Sequence, residues 1–438
     1  MKKILLLAAA SLLLFNACSN EDPIEQPFFA IDGQTSANIE NNETTFYIKV
    51  SSSSPTITAT PSVEWINVVL STSDELEKIY TYEVTIRENT SDEVRNGKIT
   101  FAQNETGATA TFNITQGQAP KTLETVGIYV LTEGDYGSNN GKLIYFDFNK
   151  TNNTFVKNDG RITDIGETPN DMVLYGTKIY IAITGSTEGS VKVYNAETGN
   201  LIQTIVTPSA QPRRVVAHNG KIYVSMYPNF VGAIDTLNYN YTSATLNGGT
   251  YPEGLCVYNQ SLYICNSGYG SGNTISVVDI NSFSETASIN IATNPMNIIA
   301  VGNELYFNTA LQYGVAPSNL YVLNPTTKSV TKTFDIDAES IVVGKEYVYA
   351  SSFSWEMFED TFHKISIADK TVSSFATELI DDMGMMMSYK LSINPLNDEL
   401  FLTQQMGDWI TRLNTDGEAV EVLKTTSKNA ATVIFIYK

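Results

Sequence analysis

A four-residue turn with proline in second place recurs in the later part of the chain: Thr168-Pro-Asn-Asp171, Gln211-Pro-Arg-Arg214, Tyr251-Pro-Glu-Gly254 and Asn294-Pro-Met-Asn297, with Asp337-Ala-Glu-Ser340 in the same phase. The residue that follows the proline position is in turn Asn170, Arg213, Glu253, Met296 and Glu339. Packing alone keeps equivalent positions of a repeat alike. Here they diverge into amide, cation, carboxylate and thioether, a pattern that suits recognition of one asymmetric ligand, and Arg214 and Tyr251 extend it. Aromatic residues also stand in loops rich in Gly, Asn and Ser: Tyr136, Tyr227, Tyr269, Tyr313, Trp355 and Trp409. Exposed rings clustered on one face mark binding surfaces. The run Asp381-Asp-Met-Gly-Met-Met-Met387 adds thioethers, Met385 among them, that adapt to an irregular partner.

The same residues argue against catalysis. Glycoside cleavage needs two carboxylates at a set separation; Glu253, Glu339, Asp381 and Asp382 are available, yet the sequence groups them into no compact acid/base set. Two histidines, His218 and His363, leave little for Ser/His/Asp chemistry or a His-rich metal centre. Asp147-Phe-Asn-Lys-Thr-Asn-Asn153 alternates oxygen ligands but lacks the Gly and terminal Glu of a calcium loop, so it reads as a turn. The expectation is a binding protein without cofactor or metal. Its 47 acidic and 27 basic side chains give a net charge of −20, which repels phosphate backbones and excludes nucleic acid as a partner.

Positioning these residues is the work of a repeat. A short turn followed by aliphatic–Tyr–aliphatic recurs around Tyr129, Tyr180, Tyr223, Tyr263, Tyr306 and Tyr349, and around Phe401 with phenylalanine in place of tyrosine. The spacing is about 45 residues with room for four short strands, the size of a β-propeller blade. Seven anchors predict seven blades over residues 121–438. The first unit starts at its second strand, Gly127 to Thr132, and the tail Ala431-Thr-Val-Ile-Phe-Ile-Tyr437 is left over to supply its inner strand. In such a ring, inner-strand starts and second-to-third-strand loops share one face around the central channel.

Lys2 and Lys3 precede an apolar run from Ile4 to Phe15, too short to span a bilayer and arranged as a secretory signal over residues 1–17. Ala17-Cys18 resembles the lipobox of bacterial lipoproteins, which implies acylation of Cys18, a tether over 18–27, and anchorage to an outer membrane. Residues 28–118 alternate apolar and polar in short strands, the pattern of an all-β sandwich. Val63-Glu-Trp-Ile66, Arg95-Asn-Gly-Lys-Ile-Thr-Phe101 and Ile114-Thr-Gln116 resemble the BACON domain, an immunoglobulin-like module whose family name implies carbohydrate binding. Trp65 reads as a core aromatic and the module as a spacer. Cys256 and Cys265 share one hairpin: a turn at Gln260-Ser261 sets them face to face, a turn at Asn259-Gln260 sets them diagonally. Asp235-Thr-Leu237 resembles a short O-glycosylation motif.

Residues 121–438 resemble the YVTN-type propeller family. Leu131-Thr-Glu-Gly-Asp-Tyr-Gly-Ser-Asn-Asn-Gly141 and Thr168-Pro-Asn-Asp-Met-Val173 are similar to a lipoprotein branch of it from Bacteroidetes. That branch includes surface proteins that capture cobalamin beside a TonB-dependent transporter. The resemblance implies a cell-surface, lipid-anchored protein that binds a small molecule, a corrinoid or otherwise a glycan, and delivers it to such a transporter. A glycan-binding surface module and a propeller glycosidase or lyase are the alternatives.

Overall fold

The computed structural model describes residues 27–120, 123–135, 137–166, 168–185, 188–311, 318–376 and 387–438. Signal segment, Cys18, Tyr136, Tyr313 and Met385 lie outside them. The described chain is all-β with no α-helix, and no helix in it is long and apolar enough to cross a membrane. It divides into two compact units between Thr122 and Leu123.

The first unit holds two four-stranded sheets. One places Thr44–Ser52 and Ile79–Ile86 at its centre, the other Arg95–Gln103 and Thr109–Gln116. Strict alternation over Ile79–Ile86 turns Tyr80, Tyr82, Val84 and Ile86 into a core shared with Ile99, Phe101, Phe112 and Ile114 of the other sheet. Trp65 packs against this core with the Arg95 guanidinium 4.4 Å above its ring. It therefore offers no free platform to a sugar. Gly97 makes room for it, since a Cβ there would stand 2.6 Å from Ile66 and 3.0 Å from Trp65.

Among the described residues the second unit holds seven four-stranded sheets, each a run of strands paired antiparallel to its neighbour. Six are continuous in sequence. The first is completed from the far end of the chain: Ala430–Tyr437 pairs with Thr125–Thr132, with Phe435 opposite Ile128 and Ile434 opposite Tyr129. The first strand of every sheet packs on that of the next, and the Ala430–Tyr437 strand touches both Ser388–Ile393 and Pro169–Tyr175. Apolar residues fill the gaps between successive sheets. Tyr129, Tyr180, Tyr223 and Tyr306 are among the largest fully buried side chains, and Phe401 joins the first and last sheets in one cluster with Ile128, Val130 and Val433. The sequence anchors are thus the inter-sheet core.

Smaller expectations also resolve. The cysteine hairpin turns at Asn259-Gln260, both with positive φ, so Cys256 faces Tyr263 and both thiols are buried and unbridged. Asn149 caps its own turn by accepting from Thr151 and Asn152, making the calcium-like stretch a connection between strands. Thr236 is buried with its hydroxyl donating to the Gly220 carbonyl at 2.8 Å, which withholds the acceptor hydroxyl of the glycosylation-like motif from the folded surface.

Candidate functional site

The starts of the inner strands share a backbone device. In the first, second, third, fourth, fifth and seventh sheets the pairing register slips by a bulge just after the proline-equivalent position. A bulge re-aims the side chain at that point. In five of these strands the preceding residue, Thr168, Tyr251, Asn294, Met387 or Asn429, holds a positive φ. Such backbone is disfavoured for residues with a Cβ and persists only where the surroundings over-determine it.

The re-aimed side chains meet across neighbouring sheets. Arg213 donates to the Asn170 side-chain oxygen at 2.6 Å, and to Glu253 Oε1 from Nε at 3.3 Å and from a terminal nitrogen at 3.1 Å. Asn170 and Glu253 are 3% and 2% exposed, whereas the Arg213 side chain keeps 22% of its surface in solvent. The position-by-position divergence is therefore answered first inside the chain: amide, cation and carboxylate hold one another, and only the cation faces out. Tyr227 also donates to Glu253 Oε1, and the Arg213 guanidinium lies 4.9 Å from the Tyr227 ring centre. Burial, followed by the Glu253 charge, pushes the Tyr227 hydroxyl pKa up, which keeps it a neutral donor.

Behind Arg213 sits Arg214, donating to the Asn170 carbonyl at 2.8 Å with Nε 3.7 Å from Glu253 Oε2. Burial works against the charge of Arg214; Glu253 and then Asp171 outweigh it and hold the guanidinium above its ordinary pKa. Asp171 accepts from the Val215 amide, its own neighbour Met172 and the Thr432 hydroxyl. Its burial still raises the carboxyl pKa, with Arg214 opposing. Gly254 closes the ring of contacts between the fourth and fifth sheets, where a Cβ would stand 2.6 Å from backbone atoms of Met296 and Asn297.

The seventh sheet adds two residues that sequence reasoning missed. Tyr389 donates to Glu133 Oε1 at 2.9 Å. Lys390 is pulled down to about pKa 8, first by burial and then by Arg214, with Glu133, Glu253 and Glu339 opposing. Among the described residues its ammonium has no hydrogen-bond partner and lies 5.0 Å from the Tyr389 ring centre. Glu339 is pushed up by burial and held back by Lys390.

Outward from Arg213 the rings form a run. Tyr227 meets Tyr251 edge-on at 5.0 Å, Tyr251 meets Tyr269 at 5.3 Å, and Tyr269 is 78% exposed. Arg213, Tyr227, Glu253, Tyr269 and Met296 line an open cleft of about 390 Å³. Two of the other candidates stand elsewhere. Trp355 packs with Phe353 and Phe358 in a separate aromatic patch, 5.0 Å from the Phe353 ring and 40% exposed. Trp409 lines a different cavity with no lining residue in common with the cleft. Among the described residues no group of three or more His, Cys, Asp or Glu side chains is placed to hold a metal ion.

No family model matches the chain, and no curated protein matches it in sequence. Solved structures do. A protein from Bacteroides fragilis NCTC 9343 provisionally assigned as a 6-phosphogluconolactonase is 14% identical, covers 73% of this chain and 100% of its own, and superposes with a TM-score of 0.53. Dihydro-heme d1 dehydrogenase NirN is 11% identical over 77% of this chain and 72% of its own, with a TM-score of 0.47. BamB from Moraxella catarrhalis is 11% identical over 64% and 76%, with a TM-score of 0.44. The first of these likenesses gives the second unit a β-propeller fold.

Proposed function

We propose that the chain is a cell-surface lipoprotein, acylated at Cys18, whose seven sheets form a closed seven-bladed propeller. Its proposed role is to capture a small ligand at the Arg213 cleft and deliver it to a TonB-dependent outer-membrane transporter. The first unit, as an immunoglobulin-like BACON sandwich, is the spacer. One observation carries the binding role: a guanidinium clamped by Asn170, Glu253 and Tyr227 yet partly open to solvent, at the base of a run of three tyrosines. A preorganised cation beside aromatic faces suits the amide-decorated edge of a large conjugated ring, and the cleft needs to hold only that edge. A corrinoid fits that description, and the resemblance of the 131–141 and 168–173 segments makes it the most specific choice.

In this reading Glu253 is an acceptor that fixes Arg213 and Tyr227, not a general base. The lactonase assignment belongs to the Bacteroides neighbour, and a likeness of this size conveys fold alone. Calorimetry of the purified protein with cyanocobalamin tests the proposal. Tight binding that weakens at least tenfold in Arg213→Ala is the expected result. Absence of heat with cyanocobalamin, alongside binding to an oligosaccharide that Arg213→Ala abolishes, would transfer the cleft to the glycan reading. Hydrolysis of 6-phosphogluconolactone lost in Glu253→Gln would make it an enzyme.

A further inference from the structure

The bulge that re-aims Arg213 has a counterpart in the seventh sheet. In the third sheet Arg213 and Arg214 stand together against Ser225, between the pairs Pro212–Met226 and Val215–Val224. In the seventh, Tyr389 and Lys390 stand against Thr403, between Ser388–Gln404 and Leu391–Leu402. A hydroxyl fixes both bends: the Arg214 amide donates to Ser225 Oγ at 3.1 Å and the Lys390 amide to Thr403 Oγ1 at 3.0 Å. Thr403 donates in return to the Lys390 carbonyl at 3.2 Å. Lys390 is thus the structural equivalent of Arg214. The strand of Arg214 packs between Pro169–Tyr175 and Pro252–Tyr258, that of Lys390 between Ser340–Val343 and Ala430–Tyr437. Although these strands are not neighbours, the Arg214 charge acts on Lys390. Both side chains therefore reach toward the space that the inner strands enclose.

What separates the two is satisfaction. Arg214 is held by the Asn170 carbonyl and by Glu253. Among the described residues Lys390 Nζ has neither a hydrogen-bond nor an ion-pair partner, and the residue is only half-buried. Nor is Nζ one of the partnerless polar atoms sealed from solvent, so the amine is within reach of a small molecule. Glu133, Glu253 and Glu339 act on it from beyond ion-pair distance. Two of these carboxylates are engaged, Glu133 by Tyr389 and Glu253 by Arg213 and Tyr227. The Glu339 carboxyl has no hydrogen-bond partner among the described residues, and its burial favours the protonated acid.

An accessible, unpartnered amine pressed toward neutrality by burial and by a neighbouring guanidinium is a nucleophile. Charge selects against an anionic ligand, because Asp171, Glu133, Glu253 and Glu339 outnumber Arg213, Arg214 and Lys390. Carbon dioxide is disfavoured for the same reason, since a carbamate adds another anion to that setting. An uncharged carbonyl compound gives an uncharged product. We propose that Lys390 captures a small neutral aldehyde as an imine in the space enclosed by the inner strands. The Nζ lone pair bonds to the carbonyl carbon, and one proton passes from nitrogen to the carbonyl oxygen. The Glu339 carboxyl protonates the resulting hydroxyl, which leaves as water, and its carboxylate takes the remaining proton from the iminium. One amine and one aldehyde give one imine and one water, with no oxidant or reductant. No step involves the ligand of the Arg213 cleft, so imine capture and cyanocobalamin binding can fail separately.

Reductive trapping tests this on the intact protein. With propanal and cyanoborohydride at pH 7, peptide mass spectrometry is expected to find Lys390 propylated about tenfold faster than the other lysines, whose amines stay protonated. Glyoxylate, an aldehyde that carries an anion, should label Lys390 no faster than the rest. Glu339→Gln removes the proton donor and should slow propanal capture about tenfold. Acetylation of Lys390 by an N-hydroxysuccinimide ester needs only the free amine and should be no slower in that variant. The first two readouts use the unaltered chain and do not depend on the variant folding. Propylation of Lys390 at the general lysine rate, a preference for glyoxylate, or equal loss of capture and acetylation in Glu339→Gln overturns the proposal.

Discussion

Arg412 and Arg213 each anchor a cluster of charges between sheets, and they leave opposite amounts of chemistry unspent. Arg412, in the seventh sheet, is 1% exposed. It donates twice to Glu399 at 2.6 and 3.2 Å and twice to Asn153 at 2.8 and 3.0 Å, lies 3.6 Å from Glu421, and packs over Phe148 and Phe155. Glu421 in turn accepts from the Phe155 amide of the first sheet. Every group is spent on joining the last sheet to the first. Arg213 has a comparable set of partners, yet one face of its guanidinium stays in solvent among tyrosines. The first arrangement is a fastener and the second a presented cation. Burial of a charge therefore says little about role until its donors and acceptors are counted.

The comparison breaks most visibly at Arg412. Arg412→Ala strands Glu399 and Glu421 and is expected to cost about 3–5 kcal/mol, read as a fall in the thermal midpoint, while folded molecules still bind cyanocobalamin as before. Arg213→Ala should reverse that pattern, losing at least tenfold in affinity for about 1–2 kcal/mol of stability, because Glu253 keeps the Tyr227 donor. If both variants lose stability equally and neither changes binding, the distinction between fastener and presented cation fails.

Lys390 sharpens the contrast through pH. Its folded pKa of about 8 lies below the ordinary 10.5, so between those values the unfolded chain binds more protons and stability rises with pH. Below pH 8 the amine is charged in both states and its burial cost is complete. Lys390→Met should therefore raise the urea midpoint at pH 7, by about 1 kcal/mol in stability after allowance for solvent screening, with the gain fading as pH approaches 10.5. A gain independent of pH would show that packing, not the charge, is responsible. The smallest effect belongs to Tyr269→Ala at the exposed end of the tyrosine run: stability within about 0.5 kcal/mol, affinity reduced about threefold.

The sequence carried the skeleton of the second unit because its core is periodic. Asn170, Arg213, Glu253, Met296 and Glu339 each precede their anchor aromatic, Tyr180, Tyr223, Tyr263, Tyr306 or Tyr349, by the same ten residues. Tyr389 and Lys390 escaped because the seventh sheet lacks the proline and carries a longer turn, Asn394 to Glu399, that displaces Tyr389 to twelve residues before Phe401. Comparing the bulge position instead of the proline would have found them. The Arg412 cluster was not legible at all, since Arg412, Glu399 and Glu421 meet Asn153 only where the last sheet packs on the first. The engagement of Glu253 Oε1 by Arg213 and Tyr227 was hidden for the same reason: divergence among equivalent positions looks identical whether the partner is a ligand or the next strand.

The Glu124 amide donates to the Lys438 carbonyl at 2.9 Å, and the Lys438 amide returns the bond to Glu124 at 3.0 Å. Within the second unit, Glu124 and Lys438 are neighbours across one strand pair, so that unit can be opened at another turn without losing this pairing. A circular permutant of the second unit, with 438 joined to 124 through a short turn and new termini opened at the Asn219-Gly220 turn, converts the ladder between Thr125–Thr132 and Ala430–Tyr437 into a local hairpin and makes that between Gln211–His218 and Lys221–Tyr227 the most distant pairing. Because one distant ladder replaces another of similar size, loop closure sets the same demand in both orders, and that permutant should refold at a rate close to that of the natural order while reaching the same native state.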